Sequence, residues 1–458
     1  MSGLAPAFAE GGITLYQGDC IEVMRDLPDA SVHAVVTDPP YGIDFMGKDW
    51  DSAVKLSGGM LGLIAKGNGP AERGPLAKGG THSQGYANHD GIAFEAWVTE
   101  WARECLRILK PGGHLLAFGG SRTWHRLAAG IEDAGFEIRD SIAWMYGTGF
   151  PKSMDVAKQI DKAAGFVGEV VGTEQVDVGI QGGSLHTGRS RDLQEREVRA
   201  LSPEAEPWKG WGTALKPAFE PIVVARKPLV GTVVQNVLGH GTGGLNIDAT
   251  RVAFASEADE QESKAKNQHA KFGTEPGGNQ VYGDYSMVER KDYDAEGRHT
   301  PNVVLDASQA DELDRQSGAS VSRVGKPRSA APGEGWGMTA TGREYADSGG
   351  ASRFFPVFPT AFRYEAKAPT HERPKEGEIA HPTVKPLDLM RWLVRLVTPP
   401  GGVILEPFAG SGTTLEAAVR EGFDCIGIER EQPYVELCIK RLRKDHQQSL
   451  FGDWDGAA

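Results

Sequence analysis

The sequence predicts an α/β protein built on a mainly parallel sheet covered by helices. Two observations carry this. Near both ends of the chain, short apolar runs of strand length alternate with stretches of helical period. The middle lacks this alternation. Residues from about 170–207, 256–300 and 326–352 are polar and rich in Gly, Ser, Asp and Glu, and 57–91 is Gly-rich. Such stretches read as insertions or loops, not core. No internal repeat is visible.

In order, "ITLYQGDC" opens with a strand over 13–16, and "IEVMRDL" follows as a helix. The next apolar run, 32–36, leads into "TDPPYG", where the missing proline N–H groups stop a strand. "FEAWVTEWARECLRILKPGG" spaces Trp97, Trp101, Cys105 and Leu109 at helical intervals and should end at Pro111-Gly112-Gly113. "HLLAFGG" is a strand, "TWHRLAAGIEDAG" a helix closed by Gly135, and "FEIRDSIAWMY" a strand. "PIVVAR", over 221–226, is another strand. The second block starts with "KPLDLMRWLVRLVTPPGG", a helix ending before Pro399. "VILEPF" (strand), "TTLEAAVREG" (helix), "FDCIGIER" (strand) and "EQPYVELCIKRLRKD" (helix) complete it.

The length of 458 residues fits two or three domains, or one large domain with insertions. A net charge of −13 argues against a polybasic nucleic-acid coat. It leaves room for a local basic groove, and basic residues gather in "RFFPVFPTAFRYEAK" and "LCIKRLRK". Cys20, Cys105, Cys425 and Cys438 form no C-x-x-C pair, so neither a zinc site nor a disulfide framework is expected. The twelve histidines form no ligand spacing, so no metal site is expected. Free thiols, no secretory leader and no bilayer-length apolar run point to a cytoplasmic protein.

Two stretches carry chemistry. In "TDPPYG", Asp38 stands at the carboxyl end of a strand, where open α/β sheets bind ligands. Its carboxylate can accept from an amino group, the Pro39 carbonyl can accept a second bond, and Tyr41 offers a stacking face. The set fits an exocyclic amine on a flat ring; the bland alternative is an acid-capped turn. In "LEPFAGSGTT", Gly410 and Gly412 sit between a strand and a helix and let a ligand approach the helix N-terminus. The spacing is neither that of a P-loop nor of a dinucleotide fingerprint. One strand later, Glu429 ends "CIGIE", where an acid commonly holds ribose hydroxyls.

"TDPPYG" followed by "EPFAGSGTT" resembles the amino-methylating DNA methyltransferases that use S-adenosylmethionine, in the circularly permuted beta-group order. "GDCIEVMRDLPDASV", "GTALKPAFEPIVVARKPL", "GTGGLNIDATRV" and "HPTVKPLDLMRWLVRLV" agree, the last two looking especially like bacterial and phage methylases. The resemblance covers about 1–150, 208–252 and 351–445. It implies a Rossmann-like methyltransferase fold with a mainly parallel seven-stranded sheet whose 221–226 strand is antiparallel. Strands from 403 and 424 should lie beside those from 13 and 32. It further implies that Asp38, Pro39, Pro40 and Tyr41 hold and stack the target base. Asp19, with Cys20, would meet the cofactor's adenine; Glu406, Phe408, Ala409, Gly410, Ser411, Gly412 and Thr413 would line the methionine pocket, to which Asp38 lies close; Glu429 would take the ribose. The family more often has Asp at the place of Glu406. Thr383 and Lys385 of "HPTVKP" would bind the cofactor carboxylate, although a loop ahead of a helix is the plain reading.

On this reading, 1–150 is the first part of the methyltransferase domain and 151–230 a linking region with the last sheet strand. A target-recognition insertion spans 231–350, the cofactor part 351–445, and a tail 446–458. Trp208 and Trp211 are candidates for base stacking or for packing, and Lys216 and Glu220 are substrate-side candidates. The implied reaction is methyl transfer to adenine N6 in flipped-out DNA, without metal. Cytosine N4, an RNA or protein amide, and a non-catalytic relative are the alternatives. A homodimer stays open.

Overall fold

The computed structural model describes residues 5–42, 88–146, 153–177, 193–254, 296–318, 348–358 and 384–450, together with short pieces at 257, 260–261, 264, 277–279, 283–285, 320–321, 375–376 and 379–380. The chain divides into two compact units, one from Met1–Thr148 with Ala218–Ala458, the other Gly149–Pro217.

The first unit begins with β1 (Phe8–Glu10), β2 (Ile13–Gln17), α1 (Cys20–Arg25) and β3 (Val32–Thr37). Next come α2 (Asn88–Ile108), β4 (Leu109–Phe118), α3 (Trp124–Asp133) and β5 (Glu137–Met145). The second unit holds α4 (Val156–Ala164) and an antiparallel pair, β6 (Val170–Asp177) with β7 (Leu193–Arg199). The first unit resumes with β8 (Phe219–Arg226), α5 (Val233–His240), β9 (Val303–Asp306), α6 (Ala307–Ser317) and β10 (Val357–Phe358). It closes with α7 (Leu387–Val397), β11 (Val403–Glu406), α8 (Thr413–Arg420), β12 (Asp424–Glu429) and α9 (Gln432–Leu450).

Among the described residues, ten strands form one sheet in the order β1-β2-β12-β11-β3-β4-β8-β5-β9-β10. The seven expected strands are its centre, and β8 runs antiparallel to both β4 and β5. Three strands lie outside the expected seven. β1 folds back on β2, while β9 and β10 add in parallel beyond β5. β9 comes from the stretch expected to be a recognition insertion. Its "VVLD" is a short apolar run too brief to stand out in a polar region. β4 also begins earlier than expected, directly after α2, and crosses Pro111-Gly112-Gly113 with a register shift opposite β3.

Strand side chains alternate between two cores. Ala34, Val36, Leu116, Phe118, Ile142 and Trp144 face α7, α8 and α9. Val35, Leu115, Ala117, Val223 and Leu405 face α1, α2 and α3. Helices therefore cover both faces, as continuous apolar strands such as "HAVVT" require. Among the described residues, no helix is long and apolar enough to cross a membrane.

In the second unit, part of the stretch expected to be loop forms the antiparallel β6–β7 pair, with Arg196 of one strand on Glu174 of the other at 2.6 Å. Cross-strand charge pairs of this kind leave no apolar period in the sequence. Trp208 and Trp211 meet edge to face at 5.3 Å and stay largely exposed, as does Lys216.

Candidate active site

Four adjacent parallel strands, β2, β12, β11 and β3, each have an acid at their carboxyl end or within two residues beyond it, at the same edge of the sheet. The acids are Asp19, Glu429, Glu406 and Asp38. This edge is where α/β sheets place ligands, because the strand-to-helix turns open there.

The glycine turn joins β11 to α8. Gly412 is its helix cap at φ +84, a region that an L side chain rarely adopts. A Cβ there would lie 2.5 Å from Cys438 Sγ on α9. The glycine is thus fixed by backbone conformation and by helix packing, a reason beyond the expected ligand clearance. The Gly410 N–H donates to Glu429 Oε2 at 2.8 Å, and the Glu431 N–H to Glu429 Oε1 at 2.8 Å. Glu429 is nearly buried, and burial raises its carboxyl above the usual range while those two N–H groups oppose the shift.

Glu406 is buried, with 1% exposure. Oε1 accepts from the Thr37 hydroxyl at 2.5 Å and from the Phe408 N–H at 3.0 Å, and Oε2 from the Thr414 hydroxyl at 2.6 Å. Burial pushes its carboxyl up to about 8 against these donors. The Thr37 bond joins the strand that carries "TDPPYG" to the strand that carries the glycine turn.

Phe408 packs its ring against Trp97 and Trp101, each at 5.6 Å. Ala409 and Ser411 are buried, and the Thr413 hydroxyl accepts from Arg441 at 2.9 Å. Asp19 caps α1, accepting from the Ile21 N–H at 2.9 Å and the Glu22 N–H at 3.3 Å. Cys20 is buried in the apolar core, and burial raises its thiol well above the usual value. Thr383 lies outside the described residues.

Asp38 stands half-buried beyond β3, with Pro39 buried beside it and Pro40 partly exposed. Lys385 Nζ lies 2.8 Å from Asp38 Oδ2 and 3.2 Å from Glu220 Oε2. It also donates to the Tyr41 hydroxyl at 3.1 Å and sits over the rings of Tyr41 and Phe118. The Tyr41 hydroxyl lies 3.1 Å from both Asp38 Oδ1 and Glu220 Oε2. Gly120 packs on the Tyr41 ring so closely that a Cβ would come within 3.0 Å of it. Burial raises the Asp38 carboxyl, and Lys385 opposes that shift. For Lys385, burial opposes the charge, but Asp38 and Glu220 outweigh it and raise the ammonium.

The lysine expected at the cofactor carboxylate is therefore turned into the acid pair. Its ammonium has Asp38, Glu220 and Tyr41 within hydrogen-bond distance. Glu220, one of two substrate-side candidates, joins Asp38 in the site; Lys216 belongs to the other unit. Tyr146 was missed in the sequence, although its hydroxyl bonds Glu220. Its place after a strand on the same sheet edge is a signal that could have found it.

The family model described as DNA methylase, of the N6/N4 type, matches residues 32–440. The chain belongs to this DNA methylase family. The methylase is similar to the type II methyltransferase M.HindIII of Haemophilus influenzae, 25% identical over 238 residues, which are 51% of this chain and 64% of that protein. M.HinfI of Haemophilus influenzae is 44% identical over 70 residues, 15% of this chain and 20% of its own. The chain thus spans less than two thirds of the curated relatives it matches. Among solved structures, the cytosine-N4-specific PvuII DNA methyltransferase covers 99% of this chain and 92% of its own at 13% identity and a TM-score of 0.41. M1.HpyAVI in complex with SAM covers 94% and 99% at 14% identity and a TM-score of 0.35.

Proposed function

We propose that this methylase transfers a methyl group from S-adenosylmethionine to an exocyclic amine in DNA, with adenine N6 as the target. The observation that carries the reading is the Thr37–Glu406 hydrogen bond of 2.5 Å, which sets Asp38 beside the glycine turn although the two motifs are far apart in sequence.

The residues suit the donor. S-adenosylmethionine is a sulfonium with an ammonium group, a ribose diol and an adenine amine. An edge with four strand-end acids complements such a cation and its hydroxyls. Glu429 would hold the ribose, since each oxygen keeps a lone pair beyond its backbone bond. Asp19 keeps its second oxygen for an adenine edge. Glu406, Phe408 and the turn from Ala409 to Thr413 would border the methionine portion. When bound, the donor supplies an activated methyl group.

The protein supplies orientation and electrostatics. Asp38 and the Pro39 carbonyl would accept hydrogen bonds from the two amine N–H groups and turn the nitrogen lone pair toward the methyl group. Pro40 fixes the turn, and the Tyr41 ring would stack on the base, which must first be flipped from the duplex. Asp at the head of the motif favours adenine over cytosine within the family that it resembles.

The test is direct. The protein is expressed in cells without DNA methylation of their own, and the DNA is digested to nucleosides for mass spectrometry. N6-methyladenine is expected. N4-methylcytosine would overturn the choice of base, and unmodified DNA would overturn the reading. Sequencing the modified positions then gives the recognition site.

A further inference from the structure

We propose that Glu220 ends a proton path that drains the target amine through Asp38 and the Tyr41 hydroxyl. The inference rests on the methyltransferase reading of the site.

The geometry supplies the path. The Tyr41 hydroxyl stands 3.1 Å from Asp38 Oδ1 and 3.1 Å from Glu220 Oε2. It carries one proton and can donate to only one of these oxygens at a time. Lys385 already donates into the same hydroxyl, so the oxygen can give its own proton away while it receives another. The charges add to the same conclusion. Two carboxylates, Asp38 and Glu220, face one ammonium, Lys385. The cluster holds one negative charge in excess and has room for one proton. The groups facing Glu220 are Lys385 from the loop before α7, Tyr41 and Asp38 from beyond β3, and Tyr146 from beyond β5; Asp38 in turn raises the carboxyl of Glu406 on β11. The Glu220 side chain is 12% exposed, enough to pass a proton on to water.

Amine methylation releases one proton. The amine lone pair forms the N–C bond, and the C–S bond breaks with its electron pair left on sulfur. The nitrogen, now cationic, loses an N–H proton to Asp38 Oδ1. Asp38 hands a proton to the Tyr41 oxygen as the Tyr41 O–H gives its own to Glu220 Oε2. The products are a neutral methylated amine, a neutral thioether and a protonated Glu220, which discharges to water. Glu220 touches no substrate atom, so it is a positioning residue for the proton, acting through Tyr41.

The test uses Glu220→Gln, Tyr41→Phe and the double variant in single-turnover transfer to unmethylated genomic DNA, from pH 6 to 9. Gln still accepts from Lys385 and Tyr41 but cannot take up a proton. Each single variant is expected to lose about tenfold or more in transfer rate at neutral pH, less than the roughly hundredfold or more of a group that takes the proton directly, because Asp38 is kept. The loss should shrink toward pH 9, where solvent removes the proton, and cofactor affinity should be unchanged. The double variant should be no slower than the slower single one. A Glu220→Gln enzyme at wild-type rate would overturn the path and leave the methyltransferase reading standing. Equal losses at every pH, with additive effects in the double variant, would also overturn it and leave Glu220 a clamp on Lys385. If Glu220→Gln does not fold, Tyr41→Phe alone decides, by the same pH profile. A wild-type protein that methylates no DNA overturns the reading itself.

Discussion

The two halves of the site are built from unlike materials. Around Asp38, a charged lysine, two carboxylates and a phenol share protons over 2.8 to 3.2 Å. Around Gly412, the carboxyl groups of Glu406 and Glu429 meet only hydroxyls and backbone N–H groups. The first half is ionic and can rearrange its protons. The second is a cradle whose shape is set by backbone. A reaction that needs one group held still and another to lose a proton divides its work along this line.

Asp38→Ala should break the ionic half alone. Methyl transfer is expected to fall by about a hundredfold or more, the effect of misplacing a reacting group. Glu220 still pairs with Lys385, so the ammonium is not orphaned and the fold should survive. Cofactor titration on the same preparation should change only modestly. A near wild-type rate would reduce Asp38 to a turn residue.

Gly412→Val should break the other half. The branched side chain meets Cys438 Sγ and an unfavourable φ, so the turn must shift. Cofactor affinity is expected to drop at least about tenfold, roughly 1.4 kcal/mol. The strain and overpacking should also cost stability, about 1–3 kcal/mol in denaturant titration. Normal binding by a folded variant would show that the turn is not part of the cofactor site.

Glu406 gives a pH test of the cradle. Its folded carboxyl is raised to about 8 from an ordinary 4.5. Its contribution to stability is then fully present below about pH 4.5 and is lost as pH rises through about 8. Unfolding free energy should therefore fall between about pH 4.5 and 8, by at most about 1.4 kcal/mol per pH unit from this group, and this slope should level off above about pH 8. Glu406→Gln should flatten that part of the profile; an unchanged slope would assign it elsewhere.

The smallest effect is expected from Thr37→Val, which removes the bond between the halves but keeps the shape. One buried hydrogen bond is worth about 1 kcal/mol, so a modest loss of stability should accompany a loosened transfer step. Thermal unfolding and single-turnover rates on one sample check both.

Much of this site was legible because its motifs are local. "TDPPYG" and "EPFAGSGTT" each announce a strand end and a turn through residues that are neighbours in the chain. What escaped depends on distant partners. Lys385 reads as a cation in a loop, and only the fold shows it between Asp38 and Glu220. Tyr146 follows the ordinary strand β5, and its meaning arises from Glu220 on the neighbouring strand. The fold followed the same rule. The seven central strands are long or strongly apolar, whereas β9 and β10 join an edge that no sequence period marks.

The order of strands also sets a timetable. β3 lies between β4, made soon after it, and β11, with Val35 paired to Leu405. These partners are roughly 370 residues apart, and at about 5–20 residues per second the ribosome needs about 20–70 s to supply the second. Until then one edge of β3 is open, and β2 likewise waits for β12, to which it pairs from Ile13 to Gln17. The nascent chain must carry apolar strands with exposed edges for most of its synthesis. Assembly should end with the late insertion of two strands into the middle of a partly built sheet, and chaperones that shield such edges should raise the yield of active methylase.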